Sequence, residues 1–190
     1  MSGEGQGYGF KVVIIGDGAV GKTSLIKKYT QGSFKEEYIA TLGTQFSKYE
    51  EDIDEDKVEL FLWDIAGQEQ FQALRQRFYI GSAGAIIVFS FDPEQSRSYE
   101  HVPRWLDDLK KHCGNIPIVL FGNKIDLVED GTLEANPGLP TADTNVLQFA
   151  KENRFLGYYK TSALTGQGVT DAFKALVKKL YQIAKISDFS

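Results

Sequence analysis

The stretch FKVVIIGDGAVGKT, residues Phe10–Thr23, combines the features that decide the fold. Phe10–Ile15 is a short apolar run rich in β-branched residues, which is typical of a buried parallel strand. Gly16–Thr23 then has the spacing G-x-x-x-x-G-K-T, whose glycines let successive backbone N–H groups point at phosphate oxygens. A helix that begins near Lys22 adds its positive N-terminal end. The stretch therefore predicts a strand, a phosphate-binding loop and a helix in an α/β domain.

Two residues at the end of this loop suit the chemistry of a nucleoside triphosphate. Lys22 can place a charge against the β- and γ-phosphates, and Thr23 can offer its hydroxyl to Mg²⁺. The other candidate ligand-binding residues here are Gly16, Asp17, Gly18, Ala19, Val20, Gly21 and Ser24. The alternative is an ordinary glycine turn between strand and helix. The loop by itself does not specify a base.

Strand and helix patterns alternate along the rest of the chain. Further apolar runs that predict parallel strands, the last of them weaker, are Val58–Trp63, Ala85–Phe91, Ile116–Phe121 and Gly157–Lys160. Thr44–Asp52 is polar, and its link to the strand Lys57–Asp64 is so short that it allows only an antiparallel hairpin. We therefore predict an α/β fold with a doubly wound, mostly parallel six-stranded sheet, one antiparallel edge strand and helices on both faces.

The length of 190 residues suits one domain with its own core. We expect a flexible glycine-rich leader at residues 1–9, the domain at residues 10–186 and a short tail at residues 187–190. Val128–Asn145 contains two prolines and is predicted to form a long surface loop.

Composition and charge exclude several classes of protein. The net charge of −5 disfavours nucleic acid as a partner. Cys113 is the only cysteine, so no internal disulfide forms, which fits a reducing compartment. The apolar run Ala85–Phe89 is far shorter than the ~20 residues that span a bilayer, and Ser187 stands where a prenylation signal has cysteine. We expect a cytoplasmic, soluble monomer without a stable membrane anchor, with peripheral membrane association left open.

A second motif follows the strand that ends at Trp63. In Asp64–Gln68, the carboxylate of Asp64 can hold Mg²⁺ through water, as a Walker-B aspartate does. Gly67 lacks a side chain, so its N–H can approach the γ-phosphate closely, and Gln68 can orient an attacking water. A strand-ending aspartate followed by a turn glycine is the alternative interpretation.

Two further motifs indicate the base. In Asn123–Asp126, Asp126 can accept two hydrogen bonds from N1–H and N2–H₂ of guanine, and the stem of Lys124 can lie along the ring. Adenine lacks this donor pair and leaves a buried Asp126 unpaired. Ser162 and Ala163 follow the last strand, where the Ala163 N–H can bond guanine O6. All four motifs lie at the carboxyl ends of predicted strands, where ligands bind in open α/β sheets.

These motifs, in this order, resemble those of the Ras superfamily of small GTPases along nearly the whole chain. The resemblance implies a P-loop GTPase domain that binds GTP or GDP with Mg²⁺ and hydrolyses GTP slowly. It adds Phe34 as a ring stacked on guanine, and Thr41 as a switch I residue that binds Mg²⁺ and senses the γ-phosphate. The implied catalytic residues are then Gln68, Lys22 and Gly67, and the implied metal ligands are Thr23, Thr41 and Asp64.

Within the superfamily the resemblance is divided. Gly67–Phe89 and Thr161–Val169 look like Rab proteins, which regulate vesicle trafficking, whereas Val102–Leu109 and Asn115–Leu127 look closer to Ran, a transport GTPase. Phe46, Trp63 and Phe78 match the aromatic triad with which Rab proteins contact partners. The resemblance implies activating proteins, exchange proteins and effectors that bind through switches I and II.

Two other interpretations are weighed against a GTPase. A non-catalytic module could keep GTP as a structural ligand, but Gln68 and the small Gly18 leave room for the water and an incoming arginine. A P-loop kinase needs arginines in a lid, and Val128–Asn145 contains none. His101 and His112 are expected to be exposed helix residues without a catalytic role.

Overall fold

The computed structural model describes residues 7–31, 35–39, 44–67 and 72–188. The strands are β1 (Gly7–Ile15), β2 (Lys35–Ile39), β3 (Thr44–Ile53), β4 (Asp56–Ile65), β5 (Gly84–Ser90), β6 (Ile118–Asn123) and β7 (Gly157–Thr161). The helices are α1 (Lys22–Thr30), α2 (Gln72–Tyr79), α3 (Val102–Cys113), α4 (Thr132–Ala135), α5 (Asp143–Glu152) and α6 (Val169–Asp188), with 3₁₀ turns at Pro93–Ser98 and Ile125–Leu127.

The strands form one sheet in the order β2-β3-β4-β1-β5-β6-β7. Strand β1 pairs in parallel with β4 and β5, and β5, β6 and β7 continue the parallel part. The predicted fold class and the β3–β4 hairpin are confirmed. The sheet has one strand more than the six predicted, because Lys35–Ile39 pairs antiparallel with β3 and becomes the edge. The polar β3 offered unpaired backbone groups on that side, which another strand can bind.

The continuous apolar run of β1 is explained by helices on both faces of the sheet. Val12 and Ile14 pack in a core with residues of α1 and α6, whereas Val13 and Ile15 pack in a second core with residues of α2 and α3. Because neighbouring residues of a strand point to opposite faces, both sets must be apolar. This buried strand holds the phosphate-binding loop rigidly at its carboxyl end.

Three predicted boundaries require correction. Residues 7–9 belong to β1 rather than to a flexible leader, and α6 continues to Asp188 rather than ending before a tail. Residues 7–9 pair with β4, and the Tyr8 hydroxyl donates to the Asp188 carboxylate of α6 at 2.6 Å, so the two extended elements contact each other. The predicted loop Val128–Asn145 contains α4 and the first turn of α5. Within the described ranges, no helix is both long and apolar enough to cross a membrane.

Candidate nucleotide site

Hydrogen bonds join the four sequence motifs at one edge of the sheet. The Thr23 hydroxyl donates to the Asp64 carboxylate, which links the first and second motifs. The Asn123 side-chain amide donates to the carbonyl of Val20 at 2.8 Å, and the Ala163 N–H donates to the Asn123 side chain at 3.3 Å. The loops after β1, β4, β6 and β7 therefore meet at one rim, as the carboxyl ends of parallel strands require.

Lys22 lies inside the phosphate-binding loop with 7% of its surface exposed. Its ammonium group donates to the carbonyls of Gly16 at 3.0 Å and Asp17 at 2.7 Å. Burial lowers the pKa of Lys22, although Asp64 and Asp17 oppose the shift. The loop closes around it because Gly16 and Gly21 take positive φ angles of 141° and 98°. The ammonium group is desolvated and surrounded by backbone atoms, which favours the binding of an anion such as a phosphate.

Thr23 and Asp64 lie beside this lysine, and each has a side-chain oxygen that can coordinate a metal ion. Asp64 is 8% exposed, and burial raises the pKa of its carboxyl group against the hydrogen bond from Thr23 and the charge of Lys22. A buried carboxylate next to a hydroxyl fits Mg²⁺, which usually takes one or two protein oxygens and completes its shell with phosphate and water. The residues present therefore fit the metal.

The second motif lies directly against the phosphate-binding loop. A Cβ atom added at Gly67 would come within 2.4 Å of the Gly16 oxygen, 2.5 Å of the Asp17 carbonyl carbon and 2.6 Å of the Gly18 nitrogen. All three are backbone atoms, so no side chain can move aside. These backbone contacts leave room only for glycine at position 67.

The base motif has a supporting residue that the sequence analysis missed. Asn123 is buried, and Lys124 has a positive φ of 64°. The Lys124 ammonium pairs with the Asp92 carboxylate at 2.8 Å, and this pairing lowers the pKa of Asp92. Asp92 caps the 3₁₀ turn after β5, and the pairing orients the stem of Lys124.

Asp126 lies in the turn Ile125–Leu127 and is exposed, rather than buried as expected. Ser162 is buried at the rim.

The expectation that His101 is an exposed helix residue also requires correction, because His101 immediately precedes α3 and is half-buried. Its imidazole Nδ1 lies 2.6 Å from one oxygen of the Asp17 carboxylate, and the Trp105 indole N–H donates to the other at 2.8 Å. Trp105 lies in the first turn of α3. No local pattern signals this contact, because it joins residues more than 80 positions apart.

Three predicted site residues lie outside the described residues. They are Phe34, Thr41 and Gln68. Their assigned roles stay predictions from the resemblance to small GTPases.

Comparison with known proteins then decides the family. A model of the Ras family matches residues 11–182. The chain belongs to the Ras family. Among relatives, it is 40% identical to the Ras-related protein RABA4c of Arabidopsis thaliana and 40% identical to the Ras-related protein RGP1 of Oryza sativa subsp. japonica, and each alignment covers 93% of this chain and 74% of the relative. It is 37% identical to the Ras-related protein Rab11A of Lotus japonicus, with the same coverage.

The activity follows from this membership. The protein is a Rab-like small GTPase of intracellular trafficking, which binds GTP and GDP with Mg²⁺ and hydrolyses GTP. Its Rab-type relatives favour the Rab-like interpretation over the Ran-like one. GTP hydrolysis excludes the non-catalytic module considered above.

The three aromatic residues of the predicted partner surface are in mutual contact in this Ras-family GTPase. The ring centroid of Trp63 lies 5.2 Å from that of Phe46 and 5.6 Å from that of Phe78. These residues come from β3, β4 and α2. The triad therefore joins the sheet to α2.

Gly67→Ala should impair hydrolysis more than it impairs nucleotide binding. The added methyl group cannot fit against the loop backbone, so the peptide groups of the phosphate-binding loop must move. A misplaced hydrogen-bond donor in such a site slows chemistry by roughly 10²–10³-fold. Phosphate release from GTP-loaded protein measures this effect.

Gly138→Ala is the matched control, because a Cβ at Gly138 meets nothing within 4 Å. Wild-type hydrolysis in Gly67→Ala would show that this close approach plays no part in the reaction.

Proposed function

We propose that this rim is the guanine-nucleotide site of the GTPase. The supporting observation is the buried Lys22 inside a loop that is hydrogen-bonded to Asp64 and Asn123 of the second and third motifs, with Ala163 of the fourth motif bonded to Asn123. In this proposal the residues Gly16 to Ser24 hold the phosphates through backbone N–H groups, with Lys22 against the β- and γ-phosphates. Thr23, Asp64 and Thr41 hold Mg²⁺.

The proposed reaction is transfer of the γ-phosphoryl group to water. Gln68 orients the water through its amide, and Lys22 and the N–H of Gly67 stabilise the charge that develops on the phosphoryl oxygens. Bound Mg²⁺ neutralises charge on the β- and γ-phosphates. The chain's part is therefore positioning and electrostatic stabilisation rather than covalent catalysis.

Base recognition is assigned to the loops after β6 and β7. Asp126 accepts from guanine N1–H and N2–H₂, Lys124 and Phe34 flank the ring, and the Ala163 N–H donates to O6. Asn123 supports this arrangement, since it bonds both the phosphate-binding loop and Ala163. Support for Lys124 comes from its ion pair with Asp92, which holds the long side chain in one orientation.

The nucleotide that remains bound after purification tests the site. We expect the purified protein to retain GDP, and calorimetry to give far tighter binding of GTP than of ATP. Lys22→Met keeps the length of the buried side chain and removes its charge, so GTP affinity should fall by more than about 100-fold. Lys27→Met is the control, because Lys27 is an exposed residue of α1. Comparable affinities for ATP and GTP would contradict the assignment of the base site.

We also propose that partners bind through the surface formed by Phe46, Trp63 and Phe78. Switch I around Thr41 and switch II from Gly67 to about Tyr79 become ordered by the γ-phosphate, and this surface then differs between the two nucleotide states. Contiguous aromatic rings are typical of the energetically dominant part of an interface. Trp63→Ala should therefore weaken binding of Rab effectors at least tenfold with unchanged GTP hydrolysis, as measured by affinity titration.

The proposed form is a cytoplasmic monomer. The free thiol of Cys113 supports a reducing compartment, since a disulfide would need a second cysteine. Sedimentation equilibrium with GDP and with a non-hydrolysable GTP analogue tests the monomer. A concentration-dependent dimer in either nucleotide state would contradict it.

A further inference from the structure

The phosphate-binding loop is held from outside by helix α3. Asp17 is the only carboxylate of the segment Gly16–Thr23, and its two oxygens bind the side chains of His101, which immediately precedes α3, and of Trp105 in α3. Trp105 is almost fully buried, and its indole N–H donates to one oxygen of Asp17 at 2.8 Å. A charge-assisted hydrogen bond of this kind is about twice as strong as a neutral one. The position of α3 therefore restrains the loop.

The ring of Trp105 also contacts a cationic side chain of α2, that of Arg75. The guanidinium carbon of Arg75, in α2, lies 4.5 Å from the centre of the Trp105 ring. Arg75 is only 3% exposed, and among the described residues its Nε finds no hydrogen-bond partner. A desolvated guanidinium on an indole face gains cation–π stabilisation, and tryptophan provides the strongest such face. The ring of Trp105 thus provides a cation–π contact for this buried charge.

One cavity of about 550 Å³ joins these groups. Asp17, Gly67, Arg75, His101 and Trp105 all line it. The cavity leaves space beside Arg75 at the start of α2, whereas Tyr79 at the end of α2 is packed in the core. A shift of α2 would withdraw Arg75 from the ring, whereas Trp105 and its bond to Asp17 belong to other elements.

We propose that Arg75, Trp105 and Asp17 form a relay through which the position of switch II sets how tightly the phosphate-binding loop holds its nucleotide. The proposal rests on the proposed function, because it assumes that this loop binds the phosphates. In this relay, the cation–π contact with Arg75 fixes the orientation of the Trp105 indole. The indole N–H in turn fixes the position of the Asp17 carboxylate. A partner that pulls α2 away removes the first contact and weakens the second, so the nucleotide leaves faster. Trp105 and Arg75 are positioning residues, since neither is assigned a contact with nucleotide.

Trp105→Phe separates the two halves of this relay. Phenylalanine keeps an aromatic face for Arg75 and lacks the N–H that binds Asp17. We expect release of a fluorescent GDP analogue to become about tenfold faster, as the loss of one hydrogen bond to a charged group predicts. Arg75→Gln should accelerate release by about threefold through loss of the cation–π contact. Tyr99→Phe is the control, because it removes one hydroxyl just before α3 and leaves Asp17 untouched.

A double-mutant cycle distinguishes a relay from local damage. In the Asp17→Asn background, where the charged end of the relay is already weakened, Arg75→Gln should accelerate release by less than 1.5-fold. Independent, multiplicative effects of the two substitutions would overturn the relay, because sites without coupling are additive. Release at the wild-type rate in both Trp105→Phe and Arg75→Gln would overturn it as well. A wild-type protein that retained no GDP would instead contradict the nucleotide site itself.

Discussion

Asp126→Asn is expected to transfer the preference of the protein from guanine to xanthine nucleotides. A carboxylate accepts two hydrogen bonds from the guanine edge, whereas an amide offers one acceptor and one donor, and the donor suits the additional oxygen of xanthine. Sites that rely on such pairing discriminate by as much as ~10⁴–10⁵. We expect the ratio of GDP to XDP affinity to fall by at least ~10³-fold. Competition against a fluorescent nucleotide measures both affinities.

The exposure of Asp126 makes this a clean test. The side chain is exposed in the turn Ile125–Leu127, so its replacement leaves no buried group unpaired in the protein itself. Glu129→Gln is the matched control, since it makes the same chemical change at an exposed position of the same loop. An unchanged preference for GDP in Asp126→Asn would contradict the assignment of the base edge to Asp126.

Hydrolysis by the isolated protein is expected to take minutes to hours, and a partner arginine should accelerate it by roughly 10³–10⁵-fold. The segment from Gly32 to Thr44 contains Lys35 as its only cation, so no arginine is available from switch I. Arg75 of switch II does not replace it, because it is buried against Trp105. A Cβ at Gly18 meets nothing within 4 Å, which leaves room for an arginine supplied in trans.

Two substitutions test this mechanism. Gln68→Leu removes the amide that orients water and should trap the GTP state in the presence of a Rab-activating protein. Gly18→Val should block the incoming arginine and spare nucleotide binding. Gln76→Leu is the control for the first, because Gln76 is an exposed residue of α2. Phosphate release with a half-life of seconds in the unassisted wild type, or wild-type speed in Gln68→Leu, would contradict the mechanism.

Local sequence determined the parts of the site that depend on neighbours along the chain. The run Phe10–Ile15 is apolar at every position but one, which requires burial on both faces and hence a parallel strand between two layers of helices. The glycines of the phosphate-binding loop supply backbone conformations that other residues adopt only with strain. Because four motifs follow four strands, the sheet topology brings them to one rim. The sequence therefore predicted the family and the meeting of the four motifs at one rim.

Contacts between distant segments were decided only by the tertiary structure. Strand β2 is short and polar, and it forms because β3 offers an unpaired edge rather than because of its own pattern. Tyr8 lies in β1 because it pairs with Val58 of β4, and its hydroxyl reaches Asp188 in α6. The contact of Lys124 with Asp92 is likewise one that no spacing signals, and so are the contacts of Trp105 with Arg75 and with Asp17. Burial and pairing of polar side chains depend on which helix faces which strand, and this is settled only when the two layers pack on the sheet.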